Sequence, residues 1–105
     1  MALTRDFKKT VKARADRDPK FRAALFKEAI QEMLTGDAEA GRAVLRDYIN
    51  ATVGFERLAH GTGTPAKSLM RMFGPKGNPR ANNLFTILKR LQKESGIQLE
   101  IKIDR

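Results

Sequence analysis

Apolar residues recur at helical spacing along almost the whole chain and at strand spacing only once, close to its end. In FRAALFKEAIQEML, Phe21, Leu25, Phe26, Ala29, Ile30, Met33 and Leu34 fall along one side of a helix. The same spacing joins Phe7 and Val11 in TRDFKKTVKARADRD, then Val44, Leu45, Tyr48 and Ile49, and later Leu84, Ile87, Leu88 and Leu91. Two shorter segments, FERLAH and the stretch from Thr64 to Phe73, follow the same pattern. Thr4, Asp18 before Pro19, and Asp37 are suited to open helices, because a short polar side chain can accept from the first free amides. Gly36, Asn50 to Gly54, GTG at 61–63, GPKGNP and Gly96 are suited to end them. The expected architecture is an all-α bundle of about five to six short helices.

IQLEIKI breaks this period. Ile97, Leu99, Ile101 and Ile103 alternate with Gln98, Glu100 and Lys102, which predicts one C-terminal β-strand. A solitary strand leaves its backbone groups unpaired. Antiparallel pairing with a second copy across a twofold axis is the simplest remedy, and addition to the sheet edge of another protein is the other. The chain thus divides into an N-terminal helical extension (1–36), a helical domain (37–96) and a strand with its tail (97–105).

Size and composition set limits. A chain of 105 residues, 41% hydrophobic, can bury a core without staples, and it has no cysteine for disulfides, as suits a reducing cytosol. No apolar run approaches the roughly 18 residues of a membrane span. MALTRDFKKT lacks the apolar centre of a secretory signal, and Asp6 and Asp16 argue against an organellar presequence, so the expected location is cytoplasmic.

The net charge of +9 is unevenly spread. Residues 1–17 carry +4 and residues 18–56 carry −2, whereas Arg57 to Lys93 holds eight Lys or Arg and no Asp or Glu. A long acid-free block beside a mildly acidic one is the footprint expected for a polyanion partner.

Within that block GTGTPA fits G-x-G-x-x-A, and GTGTPAKS falls one residue short of a P-loop. Both motifs require a buried strand immediately before them, and the segment here is the helical FERLAH. No nucleotide cofactor is expected. His60 is the single histidine, no thiol exists and no ligands cluster for a metal, so neither an enzyme nor a metal site is expected. A membrane-surface helix needs more length and a stronger apolar face than Pro65 to Phe73 offers.

Helix-turn-helix geometry accounts for all of these features together. It needs a short helix, a tight turn with glycine, and a second helix with one buried and one polar side. Phe55 to His60, Gly61 to Gly63 and Thr64 to Phe73 supply these in order. The spacing places Ala66, Leu69, Met70 and Phe73 on the core side and Thr64, Lys67, Ser68 and Arg71 outward, as candidate DNA base contacts. Lys76, Asn78 and Arg80 follow as candidate phosphate contacts, Arg80 beside the first amides of the next helix.

On these residues the stretch from Leu45 to Ile103 resembles the small Cro/repressor-type helix-turn-helix proteins, specifically the HigA-like addiction-module antidotes. The matches are LRDY at 45–48, Thr62-Gly63, Ser68-Leu69, Arg71 and Lys76-Gly77-Asn78-Pro79, and LTGD at 34–37 extends them over most of the chain. The resemblance implies a lambda-repressor-like fold. It also implies a homodimeric autorepressor, an antitoxin of a type II toxin-antitoxin module, that binds a double-stranded operator and a RelE/HigB-like toxin. It carries over Lys67 and Arg71 as base contacts and Lys76 as a phosphate contact. Pro65 stands where the family has a small polar residue, which leaves Thr64 to cap the reading helix. A basic toxin would prefer the acidic-leaning surface between Asp18 and Gly54. The rival readings are a stand-alone repressor, a basic RNA- or ribosome-associated module that follows phosphates without reading bases, and a protein adaptor.

Overall fold

The computed structural model describes residues 5–104, with side chains from residue 9 onward. Six helices follow one another: α1 (Arg5–Arg17), α2 (Pro19–Thr35), α3 (Ala38–Ala51), α4 (Phe55–Thr62), α5 (Ala66–Met72) and α6 (Ala81–Ser95). The expected Thr4 cap and the Phe7 side chain lie outside the described residues. Asp18 and Asp37 open their helices as the sequence predicts. The Asp18 carboxylate accepts from the amides of Lys20 at 3.0 Å and Phe21 at 3.2 Å, and Asp37 accepts from Ala40 at 3.0 Å.

One core unites α2 through α6. Phe26 and Ala29 from α2 meet Leu45, Tyr48 and Ile49 from α3, Phe55 and Leu58 from α4, Leu69 and Phe73 around α5, and Ile87 and Leu91 from α6. The Phe26 and Tyr48 rings lie 4.9 Å apart at a tilted angle, within the favourable range for aromatic pairs. α1 is held outside this cluster, through buried Ala15 and the Arg22 guanidinium, which donates to the Ala15 carbonyl at 2.5 Å.

Tyr48 is the deepest polar group. Its hydroxyl donates to Ser95 Oγ at 2.6 Å, and Ser95 in turn donates to the Leu91 carbonyl at 2.6 Å. Burial pushes the Tyr48 phenol above its usual value, and the Ser95 bond offsets part of that rise. α3 and the end of α6 are thereby joined by a bond inside apolar packing.

Several expectations change. Leu34, placed on the core stripe of α2, is 77% exposed: Met33 in the same turn takes the contact with α3 at Gly41, and Leu34 is left at the border of a groove beside α6. α4 continues through Gly61 and Thr62 instead of breaking at Gly61, and α5 is limited to seven residues. No strand forms among the described residues of the tail. Ile97 and Leu99 pack on the core, while Ile101 and Ile103 project into solvent. The physical reason is that a strand is defined by its neighbour, and the described residues of a single copy supply none.

Phe26→Ala is expected to cost about 3–5 kcal/mol through lost transfer energy and the cavity left behind. Tyr48→Phe, which removes one hydrogen bond but leaves Ser95 satisfied, is expected to cost only about 0.5–1.5 kcal/mol. Urea unfolding should show both as a lower midpoint at unchanged slope.

Candidate nucleic-acid interface

α4 and α5 form a short hairpin of helices joined by Gly63, Thr64 and Pro65. Gly63 makes the bend. It sits in the left-handed region at φ 74°, and its amide donates to the Ala59 carbonyl at 2.9 Å, closing α4. Any side chain there would be strained by its Cβ. The Thr62 hydroxyl donates back to the Leu58 carbonyl at 2.9 Å and accepts the Thr64 amide at 3.3 Å, so the turn is tied on both sides. The capping role expected of Thr64 is not taken up. Pro65 occupies the cap position without a side-chain bond, and its carbonyl accepts the Leu69 amide at 3.1 Å.

α5 is held by its inner side. Leu69 and Phe73 are buried, the latter 6.5 Å from the Phe55 ring, and Ala66 and Met72 pack beside them. Met70 does not belong to this set: it is 45% exposed. At about 100° per residue Met70 and Met72 lie equally far, about 80°, from the middle of the side defined by Leu69 and Phe73, so spacing alone does not separate them. The sequence offered two methionines and the apolar label could not choose between them.

Outward from α5 stand Lys67 and Arg71, both exposed, with Ser68 half-buried between them and donated to by Arg71 Nη2 at 3.4 Å. Thr64 is half-buried in the turn that precedes them. The loop after α5 folds back on the end of that helix: the Gly74 amide donates to the Arg71 carbonyl at 3.2 Å and the Gly77 amide to the Gly74 carbonyl at 2.9 Å. Gly77 lies so near the carbonyls of Arg71 and Met72 that a Cβ would collide with backbone. This contact fixes the loop that carries exposed Lys76 and Asn78. Arg80 follows, exposed at the cap position of α6, where no side chain takes up the first amides. Thus Thr64, Lys67, Ser68, Arg71, Lys76, Asn78 and Arg80 lie on one continuous stretch of turn, helix and loop. The tail residues Ile97, Leu99, Ile101 and Ile103 are not part of it.

Two of the eight basic residues in the acid-free block are spent internally. Glu94 accepts from Arg57 Nη2 on α4 at 2.6 Å and from Arg90 Nη2 on α6 at 2.6 Å. Burial pushes the Glu94 carboxyl up, and the Arg57 and Arg90 charges outweigh it, leaving it below the usual carboxylate range. This bridge ties the hairpin to α6. No acidic partner is found among the described residues for Lys67, Arg71, Lys76 or Arg80. On α1, by contrast, Lys12 and Arg14 are paired with Asp16 and Asp18 at 3.6 and 3.7 Å.

In GTGTPA, Gly61 lies inside α4, so the segment follows a helix and not the strand from which a phosphate loop springs. Among the described residues no helix is long and apolar enough to cross a membrane. Comparison with protein-family models, with curated proteins and with solved structures finds no match to the chain.

A carboxyl held low in the folded state stabilises it fully above the ordinary glutamate value near 4.5, and that contribution is lost as the pH falls through the lower folded value. Acid titration of stability should therefore show a loss on the acid side of 4.5 that Glu94→Gln abolishes. An unchanged acid limb in the variant would remove the bridge from the account.

Proposed function

We propose that the chain is a sequence-specific DNA-binding transcriptional regulator in which α4, its turn and α5 act as a helix-turn-helix. The observation that carries this reading is the outward side of α5, where Lys67 and Arg71 stand exposed without an acidic partner, continued by Lys76, Asn78 and Arg80 in a loop fixed to the same helix. A protein that leaves four cations uncompensated on one stretch, while pairing Arg57 and Arg90, has charge set aside for a polyanion.

α5 lies in the major groove. Arg71 and Lys67 reach guanine acceptors there, and Ser68 and Thr64 contact bases or nearby phosphates. Met70 joins them as an apolar contact for a thymine methyl group. Lys76, Asn78, Arg80 and the open amides at the start of α6 hold the phosphate backbone. A homodimer, paired through Ile97, Leu99, Ile101 and Ile103, presents two such helices to a palindromic operator with half-sites about 34 Å apart. The resemblance to HigA-like antidotes supports the physiological role of autorepressor and antitoxin, with a RelE/HigB-like toxin as its protein partner.

Selection of bound duplexes from a random pool at two salt concentrations tests the reading. A common motif is expected at both, and enrichment without a motif would favour an RNA- or phosphate-following module instead. On the selected site, Arg71→Ala should lose about 1–3 kcal/mol and relax preference at one base pair. Lys76→Ala should weaken all sequences alike and make the salt slope shallower by about one unit. Identical behaviour of the two variants across operator variants would contradict the division into reading and anchoring residues.

A further inference from the structure

The molecule has a second face, apolar where α5 is basic. A groove of about 540 Å³ runs between α2, α6 and the tail, with Ile30, Met33, Leu84 and Leu88 in its lining. Leu34, Phe85 and Ile101 also border it, yet they are 77%, 65% and 81% exposed, and Ile103 two residues further is 87% exposed. Four such side chains present on the order of 500 Å² of apolar surface, near the upper end for an unpartnered monomer. A stable interface uses roughly 800 Å² per partner, so this patch with the tail backbone is of the right size for one.

The tail says what covers it. Leu99 donates its amide to Gln92 Oε1 at 2.6 Å, and no other hydrogen bond from 97–104 is found among the described residues. A segment with strand alternation, unpaired backbone and an apolar groove beside it is complementary to a second copy of itself. Antiparallel pairing must set odd residues opposite odd ones, since otherwise apolar and polar faces mix. Charge then selects among these registers. Centred on Ile101, the ribbon places Glu100 opposite the partner's Lys102, twice by symmetry. Moving the centre to either neighbour sets Glu100 against its own copy or Lys102 against its own copy, and like charges directly opposite are unfavourable.

We propose that the groove is closed by a second copy of this chain through an antiparallel ribbon centred on Ile101. In this register Leu99 stands opposite the partner's Ile103. Leu99 already lines the groove, so the partner's Ile103 comes down on the same groove, beside Leu34 and Phe85. Because Asn78 and Pro79 border the groove as well, the seam between copies adjoins the cationic loop. The inference rests on the dimeric part of the proposed function and not on DNA recognition.

Sedimentation equilibrium without DNA tests it, using substitutions at exposed tail residues that leave the core untouched. Glu100→Lys and Lys102→Glu should each weaken the dimer roughly five- to ten-fold, and the double reversal should restore it to within about two-fold. The chain has no cysteine, so single cysteines report register directly. Ile101→Cys should form a disulfide-linked dimer under mild oxidation in several-fold greater yield than Ile103→Cys, which is equally exposed but faces the partner's Leu99 in this register. A monomer at all concentrations, no restoration in the double reversal, or equal cross-linking at both positions would overturn the proposal. Since no DNA is present, these results stand apart from the duplex-selection result.

Discussion

Seven residues cannot hold a helix in water, because nucleation costs more than so few backbone bonds return. α5 exists because Leu69 and Phe73 are drawn into the core that also holds Phe55, Leu58, Ile87 and Leu91. The anchoring of one side of α5 leaves the other side rigid and open, with Lys67 and Arg71 fixed in direction. Gly63 and Gly77 extend this rigidity to the segments on either side, the first by its left-handed turn and the second by its approach to the carbonyls of α5. A helix of this length is therefore a consequence of core packing more than of its own propensity.

Charge is allocated in the same way. Arg57 and Arg90 converge on Glu94 and serve the joint between α4 and α6. Lys67, Arg71, Lys76 and Arg80 have no such employment, and they are the residues that the proposed function uses. The apolar face around Phe85 and the tail is separated from this basic stretch but meets it at Asn78 and Pro79. Assembly and recognition would thus share one loop.

Much of the helical order was legible because caps and breaks are local chemistry. Asp18, Asp37, Gly63 and Gly96 end or begin helices through their own side chain or its absence. What local chemistry could not decide was which side of a short helix faces inward. Met70 and Met72 are alike as residues, and only packing against the assembled core distinguishes them. Leu34 was misplaced for a related reason: it shares a turn with Met33, and only Met33 meets Gly41 of α3. The Glu94 bridge was illegible because Arg57 reaches it from far along the chain. It follows that the acid-free block has fewer available cations than its sequence charge suggests. In the tail the alternating pattern is clear, but a strand requires a second strand, which the described residues of one chain do not contain.

The most direct measurement is an amide-resonance titration of the protein with short duplex DNA. The account predicts that amides from Thr64 to Arg71 and from Lys76 to the first turn of α6 shift together, while those on the outer side of α2 stay in place. Shifts centred on α1 or α2, with Lys67 and Arg71 unmoved at saturating duplex, would contradict it.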